Sequence, residues 1–310
     1  MTTMVATAVA WTCSAAGDSD GLYNADFQTQ KMVSMWYSPS ESDVESTMKV
    51  LTKNQDAVTS VMLYCGYSIA NDGTIQGTAS DLCVGENGIV QQLRRLGIGV
   101  EFVLSDGCTN VTAHKIFMAD PGSIPYLVAL AKNYFLFGWN LDLEPQKVPG
   151  TAEDAAIYAA FCSKLRKALN DAGVRLTIDV AQWSPMLSQY AVLAPSVDRL
   201  LNMETYNANS LNGWLNGDAY GGYYEEYKNA TLLRSMGVGL GTWPTAKCGN
   251  TSCWTTANAS VEPRMAVMQR DHVPEVALFR LYGDHSAATP PNERWPQEFW
   301  WQHLRSFLKS

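Results

Sequence analysis

From residue 31 onward, short apolar and β-branched runs alternate with stretches whose apolar residues recur at helical spacing. The strand candidates are 31–38, 58–67, 98–106, 135–145, 175–184, 198–207, 237–244 and 275–283. Helical patterns fill 41–54, 86–96, 122–134, 152–172, 222–235, 260–271 and 294–308, and the link after the fifth strand is short. Eight strands, each followed by a helix or a short link, predict an α/β fold: a single-domain (β/α)8 TIM barrel over residues 31–310. Residues 1–30 are expected to pack on this barrel or to precede it. Gly97, Gly173 and Gly237 stand where a left-handed residue ends a helix before the next strand. A doubly wound open sheet has the same rhythm, but "YSPSES" follows the first strand where a nucleotide-binding fold needs a glycine-rich loop.

In such barrels chemistry sits at the C-terminal ends of the strands. Those ends carry Trp36, Tyr37, Tyr67, Asp106, Asp142, Glu144, Trp183, Tyr206, Asn207, Trp243, Tyr282 and Asp284. Rings beside acids suit a carbohydrate, whose apolar face stacks on aromatics while its hydroxyls meet polar groups. The run "FGWNLDLEP" (137–145) is the most informative. Strand alternation puts Trp139, Leu141 and Leu143 on one face and Asn140, Asp142 and Glu144 on the other. Two carboxylates two residues apart on a strand resist ionising together. One is expected to keep its proton as a general acid while the other stays charged and orients something. Such a pair is the equipment of glycosidic bond cleavage. Asp179, inward on the fifth strand, joins the same electrostatic network or is a hydrogen-bonded residue of the upper barrel layer.

Composition narrows the alternatives. The 310-residue chain is 46% hydrophobic with a net charge of −8, so no basic stripe exists for phosphates and nucleic acid is excluded as a partner. No apolar run reaches the roughly 20 residues that span a bilayer, so no membrane partner is expected. His114, His272, His285 and His303 show no ligand spacing, so neither a metal nor another cofactor is expected, and solvated or capping roles are the default for histidines on helices and late loops. Sequons at Asn110, Asn229, Asn250 and Asn258, together with seven cysteines, point to a secreted glycoprotein or to an endomembrane or lysosomal lumen. Cys248 and Cys253 suit a small disulfide loop, Cys83 and Cys108 a second bridge, and Cys162 reads as a buried structural thiol. "MVATAVAW" lacks a basic flank and makes a poor signal peptide. A monomer is expected.

The end of the fourth strand resembles the DxxDxDxE signature of family 18 chitinases and endo-β-N-acetylglucosaminidases, with Phe137, Asn140, Asp142 and Glu144 at its four positions. "GW" followed by an N-x-D-x-E pattern is also similar to family 85 endo-β-N-acetylglucosaminidases. "TYN" (205–207) on the sixth strand resembles the M-x-Y-D motif of family 18. The resemblance implies a glycoside hydrolase acting on an N-acetylhexosamine-containing glycan by a retaining, substrate-assisted route. In it Glu144 protonates the glycosidic oxygen, Asp142 holds the 2-acetamido group that attacks the anomeric carbon, and Tyr206 donates to that group's oxygen. Asn140, Glu204, Asn207, Trp36, Trp183, Trp243, Tyr282 and Asp179 are the expected substrate-binding residues. The chain departs from the pattern: Phe137, Asn140 and Asn207 replace acids, Glu204 stands where a Met is usual, and Phe279 where a Trp is common. These departures point away from chitin itself. Two other readings remain open. Glu204 acts as nucleophile of an ordinary retaining glycosidase if it lies about 5–5.5 Å from Glu144, or the chain is a weakly catalytic chitinase-like lectin. Residues 208–222, rich in Gly and Asn around one Trp, are expected to form a rim or lid.

Overall fold

The structure is a computed structural model that describes residues 27, 30–106, 110–203, 205, 211–217, 222–223, 234–242, 258–281, 296 and 298–310. Among these residues eight parallel strands form a barrel: β1 (Met32–Tyr37), β2 (Ser60–Leu63), β3 (Gly99–Ser105), β4 (Gly138–Asp142), β5 (Arg175–Val180), β6 (Arg199–Asn202), β7 (Met236–Gly241) and β8 (Glu275–Phe279). Each lies inside one of the expected runs or begins a single residue before it. Neighbouring strands pair in chain order, β8 pairs with β1, and the register Ser34 with Ser60 and Ser60 with Gly99 carries the circuit through β1, β2 and β3.

The described helices are α1 (Val44–Lys53), α2 (Asp81–Val84), α3 (Ile89–Arg95), α4 (Val111–Ala119), α5 (Ser123–Tyr134), α6 (Ala152–Asn170), α7 (Tyr190–Leu193), α8 (Leu211–Asn216), α9 (Asn258–Arg270) and α10 (Glu298–Leu308). Their apolar faces cover the outward side chains of the strands. Trp139 shows how: its ring is fully buried and its indole N–H donates to the Leu127 carbonyl of α5 at 3.0 Å. The long helix α6 starts on a capping box in which Thr151 and Asp154 satisfy each other's backbone N–H groups.

Several local expectations need correction. Gly97 and Gly173 adopt left-handed φ of 73° and 72° behind α3 and α6. Gly237 does not end a helix: it lies inside β7, where a Cβ would come within 2.7 Å of the Leu201 side chain. Helix α4 escaped the periodicity reading because both of its sides carry apolar residues, and a two-residue-per-strand hairpin (Ser68–Ile69 with Ile75–Gln76) is too short to show alternation. Cys83 pairs with Cys65, not with Cys108. Cys65 follows β2 and lies 6.0 Å from Cys83 between Cα atoms, within disulfide reach, and Cys108 falls outside the described residues, as do Cys248 and Cys253. Cys162 is a buried free thiol whose pKa burial pushes up, as an inert core cysteine requires.

The inward side chains divide the barrel into a base of paired charges and an acidic mouth. At the base, Arg175 donates to Glu101 (2.7 Å), to both oxygens of Glu275 (2.9 and 3.0 Å) and to Ser34 (3.2 Å). Arg199 lies 3.4 Å from Glu275. All four charged side chains are fully buried, so two cations offset two anions where water cannot. Burial opposes the charge of Glu275, but Arg175 and Arg199 overcome it and hold the carboxyl below its ordinary value. Phe137 sits beneath this network, 5.4 Å from the Arg175 guanidinium and edge-on to Phe27 at 5.5 Å. Gly138 leaves room for it all: a Cβ there would come within 2.7 Å of Arg175 and 3.0 Å of Glu101.

Candidate active site

The alternation of "FGWNLDLEP" continues into the mouth as expected. Trp139 and Leu141 face the helices, while Asn140 and Asp142 face the barrel axis. Asp142, only 9% exposed, receives a hydrogen bond from the Tyr64 hydroxyl on its Oδ2 at 3.0 Å. Burial first, and then the charge and hydrogen bonding of Glu144, hold the Asp142 carboxyl well above the usual carboxylate range; Asp106 adds to the rise and Tyr64 counters it. Asp142 therefore keeps its proton to higher pH than an isolated carboxylate does. Glu144 is partly exposed just beyond β4 and accepts from Gln146 at 3.1 Å.

Asn140 bridges sideways to β5, donating to Thr177 Oγ1 at 3.1 Å and to Asp179 Oδ1 at 2.9 Å. Burial first, and then the charge of Asp142, raise the Asp179 carboxyl, while hydrogen bonds from Asn140 and Trp36 pull it back. Asp142 and Asp179 thus oppose each other's ionisation, and the charge of Glu144 adds to both effects. Trp36 completes this group from across the barrel. Its ring is buried to 1% exposure among Met62, Val103, Leu201 and Ala277, edge-on to Phe279 at 5.9 Å. It is a floor beneath Phe279, not an open stacking platform. Trp183 is 39% exposed past the end of β5.

Asp106 closes the β3 side: its N–H donates to the Asp142 carbonyl at 2.9 Å, and its carboxylate lies 3.2 Å from His114 Nε2, with both side chains buried. His114 is consequently neither solvated nor a cap, because α4 turns it inward. On β2 the inward position at the mouth belongs to Tyr64. Tyr67 faces the outer core, edge-on to Trp139 at 5.9 Å, since the chain turns at Gly66 and breaks the strand parity. The signal for Tyr64 was the same-face series Ser60, Met62, Tyr64. Glu204, Tyr206, Asn207, Trp243 and Tyr282 lie outside the described residues. Within the expected rim, Trp214 is 1% exposed and stacked on Tyr223 at 4.5 Å, so it anchors the segment from inside. Among the described residues no group of three His, Cys, Asp or Glu is arranged to hold a metal ion, and no helix is long and apolar enough to cross a membrane.

No family model matches the sequence, and no curated protein matches it significantly. Solved structures do. A Group IV chitinase from Ostrinia furnacalis has a TM-score of 0.65 at 11% identity, covering 91% of this chain and 100% of its own. A class V chitinase from Pseudomonas fluorescens Pf-5 has a TM-score of 0.63 at 15% identity, covering 90% and 99%. The spore cortex-lytic enzyme SleL of Bacillus megaterium QM B1551 has a TM-score of 0.62 at 10% identity, covering 89% and 73%. At these identities the likeness is one of fold: the chain has the closed (β/α)8 barrel seen in these chitinases and in the cortex-lytic enzyme.

Proposed function

We propose that this chain is a glycoside hydrolase that cleaves a β-linked N-acetylhexosamine-containing glycan with retention, using the substrate's own 2-acetamido group as nucleophile. The observation that carries this reading is the Asp142–Glu144 pair at the mouth of a chitinase-like barrel, with burial and Glu144 raising the Asp142 carboxyl above the usual carboxylate range. As the sugar enters, the acetamido N–H turns to Asp142 and the pair's proton passes to Glu144. The acetamido oxygen then attacks the anomeric carbon, the glycosidic C–O bond breaks, and Glu144 delivers the proton to the leaving oxygen. Water, deprotonated by Glu144, opens the cyclised intermediate from the same face as the departed group. Tyr206 donates to the acetamido oxygen, and Trp183, Asn207, Trp243 and Tyr282 line the sugar. The buried disulfide Cys65–Cys83 accords with secretion or a lumenal compartment, and the chain acts as a monomer.

Glu144→Gln is the direct test. Fluorogenic N-acetylated chitooligosaccharides and released N-glycans are offered to wild type and variant, and calorimetry measures binding. Turnover should fall at least ~10³-fold with affinity retained; equal activity in both proteins would remove Glu144 from the mechanism. Asp142→Asn and Glu204→Gln separate the acetamido route from a direct nucleophile, since the first route is crippled by the former change and the second by the latter. A thiazoline that mimics the cyclised intermediate should inhibit; its failure would favour the direct route.

A further inference from the structure

We propose that Tyr64 is a positioning residue for this reaction, holding the Asp142 carboxylate from across the barrel in the orientation that meets the substrate's acetamido group. The inference rests on the role given to Asp142 above. Tyr64 is half-buried at the end of β2, its backbone N–H bound to the Tyr37 carbonyl of β1 at 3.0 Å. Its ring packs on the inner-wall cluster of Trp36, Met62, Val103, Leu201 and Ala277. Ring and backbone are thereby fixed before the hydroxyl reaches Asp142 Oδ2 at 3.0 Å.

The neighbouring groups explain why this donor matters. Asn140 stands where the family signature places a supporting acid, but its amide is committed to Thr177 and Asp179. Among the described residues, the charged and titratable groups that face Asp142, besides Tyr64, are Glu144 on its own strand, Asp106 from β3, Asp179 from β5 and, further off, Tyr158 from α6. Each carboxylate among them repels a charged Asp142. Among the described residues, Tyr64 donates to Asp142 and favours the ionised form, which is the form able to accept the acetamido N–H. Losing the hydroxyl both frees the carboxylate to rotate and makes its charge harder to form.

Tyr64→Phe keeps the ring and removes the donor. For kcat/KM measured against pH on a fluorogenic N-acetylated chitooligosaccharide, the acid limb should move to higher pH. The loss should be about tenfold on the acid side and smaller above the optimum, as for one hydrogen bond to a charged group. A uniform loss at every pH, or an unchanged profile, would overturn the proposal, because a merely structural residue lowers the curve without displacing it. Tyr64→Met, which also lacks the hydroxyl but retains apolar bulk, replaces Phe if that variant does not fold. Carboxyl 13C NMR of aspartate-labelled protein, assigned with Asp142→Asn, needs no substrate. Asp142 should titrate at higher pH in the variant, and an unmoved midpoint would refute the proposal. If wild type and Glu144→Gln are equally inactive on every glycan, the functional reading fails, and the carboxyl titration alone then decides whether Tyr64 governs Asp142.

Discussion

Arg175→Met tests the charged base of the barrel. The substitution keeps much of the apolar stem but removes a guanidinium that donates to Glu101, Glu275 and Ser34 with no solvent contact. Glu275 still has Arg199 at 3.4 Å and the Ser34 hydroxyl. Glu101 keeps only hydroxyl donors among the contacts described, Ser60 at 2.6 Å and Thr177 at 3.4 Å. One buried carboxylate is therefore left without its cation, which costs about 3–5 kcal/mol. For a domain of this size that corresponds to a fall in Tm of roughly 5–8 °C. Calorimetry and urea unfolding at pH 7 measure it. Adding Glu101→Gln to Arg175→Met neutralises the orphan and should recover at least about half of the loss, because a buried uncompensated charge and not a cavity is the main defect. A single variant within ~1 kcal/mol of wild type, or a double variant no better than the single, would refute the reasoning.

The other outcomes follow from individual contacts. Asp142→Asn should inactivate and yet stabilise. A carboxyl raised in the folded state contributes stability that is present below its unfolded pKa near 4 and lost as pH rises, so the Tm gain should be near zero at pH 4 and a few degrees at pH 7–8; a pH-independent difference would contradict it. Gly138→Ala pushes a methyl toward Arg175 and Glu101 and should cost about 1–3 kcal/mol in urea unfolding. Trp139→Phe removes the indole donor that the Leu127 carbonyl accepts beside its helical bond and should cost about 1 kcal/mol, with α5 showing the largest gain in hydrogen exchange.

All eight strands were legible because barrel strands bury their outer faces as apolar runs, and the inward series on β4 pointed to Asp142 and Glu144 without any structure. What failed was what periodicity does not encode. Spacing cannot choose a cysteine's partner, so Cys83 was joined to the wrong one. Parity holds only while the strand lasts, so Tyr67 was read where Tyr64 belongs. A helix apolar on both sides has no face to detect, which hid α4 and with it the inward His114. Phe137 looked like a missing acid in the signature; its place beneath Arg175 shows that the position belongs to the base of this barrel and not to its mouth.

The two ends of the barrel are secured by different kinds of bond, and they have separate failure modes. The base is closed by buried ion pairs, which ionic strength barely reaches and which weaken only as acid protonates carboxyls such as Glu275, held below its ordinary value. The mouth beside β2 is closed by Cys65–Cys83, a covalent tie across 18 residues worth about 3 kcal/mol to the chain, one residue away from Tyr64. Replacing both cysteines with alanine removes the second without touching the first. The proposed glycan cleavage should then weaken at neutral pH while the barrel stays folded, leaving a protein that is impaired without being melted.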